Sequence, residues 1–226
     1  MGKTVTVLLL SDVHGRVSVL KNLVKSGSYD LALVAGDVSN YAGGAYREVL
    51  EVLSQNLPLS IVVPGNVDPP DIAKLNLKNV LVIHKQIVEA SGLYVAGVGG
   101  GIGFSFWKIP YLTDVQIGEF IRGIEEALRS RSAALHVLLT HTPPEGSGLD
   151  RVYSGEYVGS RKIREFIETY EPVLHLCGHI HEGRGIVRIG RTVAVNPGPS
   201  MAGYYGVARF SGSRLEVEVE LKRVGS

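Results

Sequence analysis

Residues 5–14 read VTVLLLSDVH, an apolar run that stops at Ser11 and passes directly into Asp12-Val13-His14. The run is typical of a buried strand, and the polar residues mark its end. Two metal-favouring side chains therefore stand where a strand should end. In open α/β sheets, ligands bind outside the carboxyl ends of the strands. The stretch thus predicts both a core strand and the edge of the sheet that carries the chemistry.

Further along, strand-like and helical patterns alternate. Apolar runs at 31–35 and 59–63 predict strands, and apolar residues at helical spacing predict helices over 17–24 and 46–53. This alternation is typical of a parallel sheet covered by helices, so we assign the chain to the α/β class.

The rest of the chain contains more predicted strands than helices. Strand-like runs lie at 80–83, 86–89, 93–98, 136–139 and 173–176, and helices are predicted over 113–129, with Thr113 as N-cap, and over 160–170. Several more β-type runs follow between residues 186 and 219, interrupted by Asn196-Pro197-Gly198-Pro199. The excess of strands predicts a second sheet packed against the first.

Composition favours one domain over residues 1–226. The chain is 45% apolar, which is ample for a core, and no linker-like stretch divides it. The net charge of +1 gives no support to a nucleic acid or an anionic membrane as the main partner. No apolar stretch is long enough to cross a bilayer, and the N-terminus lacks a signal-peptide pattern.

Cys177 is the only cysteine, which excludes an internal disulfide, and we interpret it as a small buried hydrophobe. With the absence of export signals, this predicts a cytoplasmic protein. The oligomeric state stays open, a homo-oligomer included.

Five short motifs follow the strand-like runs. They read Asp12-Val13-His14, Gly36-Asp37, Gly65-Asn66-Val67-Asp68, Thr140-His141-Thr142, and Gly178-His179-Ile180-His181. The metal-favouring side chains in them are Asp12, His14, Asp37, Asn66, His141, His179 and His181. Because the strand ends can meet at one rim, we expect these residues to converge although they are far apart in sequence.

The ligand types indicate which metals would bind. A mixture of carboxylate, imidazole and amide groups favours Mn, Fe, Zn, Co or Ni over Ca. Asp37 is the candidate to bridge two cations, because Gly36 beside it allows close backbone approach. Two metal sites that share one carboxylate are the arrangement that a two-metal hydrolase needs.

Each motif alone has a simpler interpretation. Asp12 and Asp37 would be strand-end or turn residues, and His141 would be a satisfied half-buried histidine. All five motifs in one chain, each after an apolar run, favour the metal site instead. The glycine run 99–103 does not fit G-x-G-x-x-G, so a dinucleotide site is excluded. The remaining histidines are interpreted as structural, namely His84, His136 and His175.

This set of motifs resembles the calcineurin-like metallophosphoesterases, whose motifs are D-x-H, G-D, G-N-H-D/E, a lone His after a strand, and G-H-x-H. The resemblance runs from Asp12 to about Asn196-Pro197-Gly198. Residues 140–144 and 178–182 are most similar to the small prokaryotic branch related to cyclic-nucleotide phosphodiesterases. The resemblance implies a four-layer αββα sandwich of two mixed β-sheets flanked by helices.

The resemblance also implies a role for each motif residue. Asp12, His14 and His181 would bind the first of two divalent metal ions. Asn66, His141 and His179 would bind the second. Asp37 would bridge both. The residues expected to take part in catalysis are Asp37, Asn66 and Asp68.

Val67 departs from the family pattern, which has His at this position. That His does not bind metal; it lies near the phosphate and helps the transition state or the leaving group. A positioned general acid contributes about 10²–10⁴-fold, so its loss should matter most for a poor leaving group. Asp68, which in the family partly orients that His, would then be supporting or structural.

The leading hypothesis is a metal-dependent phosphoesterase that prefers diesters, in which water activated between two cations attacks a small phosphate-ester substrate. The alternative is a metal-binding scaffold with little turnover, motivated by Val67 and by a loop, Phe104-Ser105-Phe106-Trp107, that could bind a partner protein. A nuclease is disfavoured, because the sequence has no basic stripe.

Basic and aromatic residues after the His141 motif have two interpretations. They would contact a substrate phosphate, or they would form a solvated loop and helix face. The residues concerned are Arg151, Tyr153, Arg161, Lys162 and Arg164.

Overall fold

Two mixed β-sheets are stacked face to face at the centre of the molecule. The computed structural model describes residues 4–102, 112–131, 134–212 and 215–224. The first sheet contains β1 (Val5–Leu10), β2 (Leu31–Ala35), β3 (Ser60–Val63), β4 (Val80–Val82), β11 (Tyr204–Ser211) and β12 (Glu216–Arg223). Their order across the sheet is β12-β11-β1-β2-β3-β4. Strands β1 to β4 are parallel, and β11 and β12 extend the sheet antiparallel.

The second sheet has the same mixture of strand directions. It contains β5 (Gln86–Ala90), β6 (Leu93–Val98), β7 (Val137–Thr140), β8 (Leu174–Leu176), β9 (Gly185–Ile189) and β10 (Thr192–Asn196). Their order is β5-β6-β7-β8-β10-β9. The four inner strands are parallel, whereas β5 and β9 pair antiparallel at the two edges.

Helices cover both outer faces. The helices α1 (Val17–Val24) and α2 (Tyr46–Asn56) lie on the first sheet, and α3 (Asp114–Arg131) and α4 (Arg161–Tyr170) lie on the second. The apolar side chains of successive strand residues point to opposite faces. In β1, therefore, Leu8 packs toward the helices while Leu9 packs between the sheets. This arrangement is the predicted four-layer sandwich.

The strand directions bring the chemistry to one edge. Strands β1, β2 and β3 are parallel, so the loops that follow them leave the first sheet at the same edge. The loops after β7 and β8 leave the second sheet together for the same reason. A hydrogen bond links the two edges, since His141 after β7 lies 2.7 Å from the carbonyl oxygen of Ala35 at the end of β2.

Most predicted elements are present, with ends that are exact or shifted by at most three residues. The helix predicted over 46–53 continues to Asn56, and the strand predicted over 136–139 is Val137–Thr140. Thr113 and Gln116 exchange hydrogen bonds at the start of α3, which confirms the predicted cap as a capping box. Ser160 caps α4 by accepting from the N–H of Ile163 at 3.1 Å.

The prediction of one domain over 1–226 stays a prediction, and the apolar core shared by both sheets supports it. The loop Phe104-Ser105-Phe106-Trp107, predicted as an interaction patch, lies outside the described residues. Within the described part of the chain, no helix combines the length and apolar character needed to cross a membrane.

The core between the sheets should dominate stability. Leu33 of β2 is fully buried there, whereas Leu81 of β4 is 38% exposed. We expect Leu33→Ala to lower the free energy of unfolding by about 2–5 kcal/mol, because it leaves a cavity in close-packed surroundings. The control Leu81→Ala should cost less than about 1 kcal/mol, since exposed substitutions remove little burial. Denaturant unfolding measures both, and equal losses would contradict this account of the core.

Candidate metal centre

The loops at the shared edge have an unusual backbone. Four of the predicted ligands have a left-handed conformation, with φ of 52° at Asp12, 44° at His14, 52° at Asp37 and 69° at His179. Such a conformation costs a non-glycine residue about 1–2 kcal/mol. Residues held in this way cluster at functional sites, where the surrounding structure fixes them. The concentration of such residues at this edge indicates that the site has a function.

Backbone hydrogen bonds hold these strained loops. The N–H of Asp12 donates to the carbonyl oxygen of Gly36 at 3.0 Å, and the N–H of His14 donates to that of Asp37 at 2.9 Å. The loops after β1 and β2 are thereby fixed to each other. A hydrogen bond from the N–H of Gly178 to the carbonyl oxygen of His141, 3.0 Å long, does the same for the loops after β7 and β8.

Asp12, His14 and His181 form the first half of the centre. His181 Nε2 lies 3.3 Å from Asp12 Oδ1 and 3.3 Å from His14 Nε2. Asp12 is buried, and the side chain of His181 is 30% exposed. One candidate ligand atom from each of the three residues lies within 4.8 Å of the other two, close enough for all three to contact one ion.

Asp37 joins this half to the second. Its Oδ2 lies 3.7 Å from His14 Nε2, and its Oδ1 lies 3.5 Å from His141 Nε2. Asn66 completes the second half, with Oδ1 2.9 Å from His141 Nε2. A second group of candidate metal ligands comprises Asp12, Asp37 and His141. The carboxylate predicted to bridge thus faces both halves.

His179 lies beside the second half. Its ring centroid is 4.9 Å from that of His141, and its Nε2 is 2.8 Å from the carbonyl oxygen of Ile102. A carbonyl oxygen only accepts, so Nε2 carries the hydrogen and the neutral ring keeps its lone pair on Nδ1. The structure therefore places His179 next to the centre, with one nitrogen committed to the backbone.

The buried acceptors of the second half face one another, which is the strongest sign that a cation belongs there. His141 Nδ1 donates to the carbonyl oxygen of Ala35, so a neutral ring presents the lone pair of Nε2. That lone pair points at Asn66 Oδ1 and lies near Asp37 Oδ1. Three acceptors in such an arrangement need a proton or a metal ion between them, and the residues present fit a cation.

Electrostatics lead to the same conclusion. Burial opposes the charged form of His141, but the Asp37 carboxylate outweighs it and raises the pKa of His141 to about 9. Burial likewise opposes the charged form of Asp37, yet the nearby imidazoles of His141 and His14 hold the pKa of Asp37 below its usual value. Within the described residues, the salt-bridge partners of Asp12 and Asp37 are histidines alone. The centre therefore attracts positive charge that no lysine or arginine among the described residues supplies.

Asp68 ties two loops together. Its carboxylate accepts from the N–H groups of Ser39 at 2.7 Å, Gly65 at 2.8 Å and Val38 at 3.3 Å. These bonds hold the loop after β3 against the loop that carries Asp37. We therefore infer that Asp68, predicted to take part in catalysis, acts as a positioning residue.

Val67 keeps a backbone role. Its N–H donates to Asp37 Oδ1 at 3.0 Å, and its side chain is buried. The aliphatic side chain has no group that could donate a proton. The residue therefore orients the central carboxylate through its backbone alone.

Close packing explains two glycines of the motifs. A Cβ at Gly36, where φ is 81°, would lie 2.5 Å from His141 Nδ1. A Cβ at Gly65 would overlap the Asp37 carboxylate. Only glycine lets these loops approach each other closely enough.

Sequence reasoning missed the residues that support the site from the end of the chain. Asn196 is fully buried and donates to the carbonyl oxygen of Ile180 at 2.8 Å, between the two histidines of the last motif. Ser11 Oγ donates to the carbonyl oxygen of Gly198 at 3.1 Å, and the N–H of Met201 donates to that of Asp12. The turn residues Asn196-Pro197-Gly198-Pro199 at a strand end were the available signal.

The other histidines have structural contacts. His84 Nδ1 accepts from the N–H of Gly99, and His136 Nδ1 accepts from that of Tyr94. His84 lies between β4 and β5. His175 lies in β8, 2.9 Å from Thr140 Oγ1, and burial lowers its pKa to about 3.

The basic residues of α4 are paired with the glutamates of the same helix. Arg161 and Lys162 lie 2.9 and 2.7 Å from Glu165, and Arg164 lies 2.6 Å from Glu168. These exposed pairs favour the solvated-face interpretation for the helix. Arg151 and Tyr153 lie instead on the hairpin that precedes it.

A model of the calcineurin-like phosphoesterase family matches residues 5–183. The chain belongs to this family. The match confirms the predicted family, and membership indicates a metal-binding hydrolase of phosphate esters.

Two relatives are similar to this chain over most of their own length. An uncharacterized protein of Methanocaldococcus jannaschii is 28% identical over 205 residues, 88% of this chain and 90% of that protein. A UPF0046 protein of Caenorhabditis elegans is 25% identical over 222 residues, 85% of this chain and 74% of that protein.

Solved structures share the fold. A Thermus thermophilus protein has a TM-score of 0.73 at 21% identity, covering 98% of this chain and all 100% of that one. A putative 5'-nucleotidase from Staphylococcus aureus, in complex with alpha-ketoglutarate, has a TM-score of 0.67 at 15% identity. This chain spans 54% of that protein. At such identities the matches show the fold alone.

The bonds of Asp68 can be tested by replacing it with Asn. The new amide NH₂ would face backbone N–H groups, so at least one buried donor loses its acceptor. We expect Asp68→Asn to lower the free energy of unfolding by about 1–3 kcal/mol. The matched control is Asp71→Asn, because Asp71 pairs only with exposed Lys74 among the described residues. Thermal unfolding of both variants checks this, and an unchanged midpoint for Asp68→Asn would contradict it.

Proposed function

We propose that the protein is a phosphodiesterase whose centre holds two divalent cations. The observation that carries this proposal is the position of the Asp37 carboxylate, with one oxygen toward His14 and the other toward His141. A carboxylate between two sets of imidazoles is suited to bridge two ions. We further propose a cytoplasmic location and a small phosphate-ester substrate.

The residues would divide between the cations as the family pattern implies. Asp12, His14 and His181 would hold one ion, Asn66, His141 and His179 would hold the other, and Asp37 would hold both. When bound, the ions would stabilise charge on phosphoryl oxygens and lower the pKa of a bound water. Mn, Fe, Zn, Co and Ni are the candidates that suit these ligands.

The chain itself fixes the orientation of these ligands. The carbonyl oxygen of Ala35 holds His141 in the tautomer that presents Nε2 to the site. The N–H of Val67 holds Asp37 Oδ1, and the N–H of His179 donates to both oxygens of Asp12 at 3.2 and 3.3 Å. Partners of this kind orient metal ligands and strongly affect metal affinity.

Val67 supports the preference for diesters with good leaving groups. A good leaving group departs as an anion and needs no proton, so the missing histidine has little effect on it. A poor leaving group needs a general acid, which contributes about 10²–10⁴-fold. We therefore expect activated diesters to be cleaved far better than unactivated monoesters.

The strained ligand loops argue against a scaffold without turnover. Left-handed backbone at four ligands and the facing acceptors destabilise the fold, and a protein-interaction module requires neither. A nuclease is disfavoured by the net charge of +1 and by the internal pairing of the basic residues on α4.

Metal dependence is the first test. We expect chelator-treated protein to lose cleavage of bis-p-nitrophenyl phosphate, and Mn²⁺ to restore it. Asp37→Asn should lower both metal content and kcat/KM by more than about a hundredfold. Loss of a residue that only hydrogen-bonds to a metal ligand already lowers metal affinity by about 10–100-fold, and Asp37 would itself be a ligand. Elemental analysis and p-nitrophenolate release measure the two quantities.

Asp71→Asn serves as the control, since it removes a carboxylate that is exposed to solvent, pairs with Lys74 and is not one of the proposed ligands. An unchanged metal content in Asp37→Asn, together with no metal-dependent cleavage by the unmodified protein, would refute the proposal.

Restoring the family histidine is the second test. We expect Val67→His to raise kcat/KM for diphenyl phosphate, a diester with a poor leaving group, by about 10-fold or more, because general acids contribute up to 10⁴-fold. The gain for bis-p-nitrophenyl phosphate should be much smaller. Val67→Leu controls for side-chain size, and equal gains for both diesters would rule out a leaving-group role.

A further inference from the structure

A run of glycines lies at the edge of the sheet that carries the metal centre. Residues 99–101 are all glycine and Ile102 follows them; we call residues 99–102 the glycine loop. The loop follows β6, which is parallel to β7, so it leaves the second sheet at the same edge as His141. The run does not fit a dinucleotide-binding pattern, so its glycines need another explanation.

The glycine loop packs directly against two of the residues proposed to hold the second cation. The N–H of Gly100 donates to the carbonyl oxygen of Pro64 at 2.8 Å, just before the motif that contains Asn66. A Cβ at Gly101 would lie 2.5 Å from Asn66 Oδ1 and 2.9 Å from His179 Cε1. A side chain at this position would therefore push both residues away, and glycine lets the backbone itself lie against them.

The loop also orients His179 through a hydrogen bond. His179 Nε2 donates to the carbonyl oxygen of Ile102 at 2.8 Å. The position of this oxygen restricts the rotation of the imidazole ring, because hydrogen bonds weaken steeply as they depart from linearity. Partners of this kind change the metal affinity of a ligating histidine by about 10–100-fold. The orientation of His179 therefore depends on where the glycine loop places Ile102.

The hydroxyl group of Thr142 fastens the glycine loop. Thr142 Oγ1 donates to the carbonyl oxygen of Gly100 at 2.9 Å and accepts from the N–H of Ile102 at 3.1 Å. The two bonds hold the backbone on either side of Gly101, the residue that lies against the ligands. Thr142 is fully buried, and backbone groups that lose a buried partner are costly to leave unpaired. The loop therefore depends on this hydroxyl for its position.

Thr142 is itself held in place. Thr140 Oγ1 donates to the carbonyl oxygen of Thr142 at 2.6 Å. The hydroxyl hydrogen of Thr140 is used in that bond, so Thr140 accepts at its contact with His175 Nε2, 2.9 Å away. Thr140 and His175 are both buried. Thr142, which directly follows His141, is thus a fixed point from which the glycine loop is positioned.

We propose that Thr142 is a positioning residue for the second cation. Its hydroxyl holds the glycine loop, and the loop orients His179 through the carbonyl oxygen of Ile102. The loop also packs against Asn66 at Gly101. This inference rests on the proposed function and adds a residue to the same site: the affinity for the second ion depends on Thr142, whereas the affinity for the first ion does not.

Calorimetric titration of the metal-free protein with Mn²⁺ tests the role of Thr142. Asn66→Ala identifies the second ion in the titration, because Asn66 is a proposed ligand of that ion alone. We expect Thr142→Val, which keeps the shape of the side chain without its hydroxyl, to weaken binding of the second ion by about 10–100-fold. Binding of the first ion should be nearly unchanged. Thr142→Ser, which keeps the hydroxyl, should retain most of the affinity for the second ion.

Thr192→Val is the matched control. Thr192 is fully buried, but its hydroxyl has no hydrogen-bond partner among the described residues. It begins β10, which is parallel to β8, and so lies at the opposite edge of the sheet from the metal centre. Its replacement should leave both affinities unchanged.

Gly101→Ala tests the glycine loop without altering Thr142. The new Cβ would press on Asn66 and His179, so binding of the second ion should again weaken while that of the first persists. This variant provides the test if Thr142→Val does not fold, and unchanged affinities in it would then overturn the inference.

Equal loss of both ions in Thr142→Val would overturn the inference, because it would show a general structural role. Unchanged affinities in a folded Thr142→Val would do the same, as would a Thr142→Ser variant that binds the second ion as weakly as Thr142→Val. Binding of fewer than two ions by the unmodified protein would refute the proposed function and the inference with it, so the two failures are distinguishable.

Discussion

Buried electron-pair donors face one another at the edge where the two sheets meet, and the rest of the site depends on this constraint. The carbonyl oxygen of Ala35 commits one nitrogen of His141, which turns the other toward the oxygens of Asn66 and Asp37. Such a set is unstable without positive charge, because buried anionic groups must be paired or coordinated. The same contact also joins the sheets, so the position of one sheet relative to the other sets the geometry of the centre.

Supporting structure keeps these atoms facing each other. Left-handed backbone at Asp12 and Asp37 aims both carboxylates inward, and Asp68 clamps the loops on either side. Glycines 36 and 65 allow an approach that no side chain would permit. This organisation explains how the centre can lack the family histidine and still retain the geometry of its ligands: Val67 contributes to the site through its N–H, which any residue except proline provides.

The sequence was most informative where apolar periodicity and strand ends coincided. The run 5–10 predicted β1 with its exact ends, because a strand that is buried on both faces leaves a nearly continuous apolar signal. The helix ends were less predictable: α2 continues three residues beyond the predicted 46–53, since Ser54, Gln55 and Asn56 carry no apolar signal. The sequence allowed the predicted ligands to be divided into two metal sites. It could not predict the hydrogen bond between His179 Nε2 and the carbonyl oxygen of Ile102, because that contact arises from tertiary packing. Asn196 was missed for the same reason, because its significance lies in its contact with the loop of His179 and His181.

The central claim is that one carboxylate, Asp37, joins two cation sites. Anomalous diffraction from crystals grown with Mn²⁺ tests it most directly. Our account predicts two anomalous peaks, one beside His14 and His181 and the other beside Asn66 and His141, with an oxygen of Asp37 coordinated to each. A single peak, or two peaks that do not share Asp37, would contradict it.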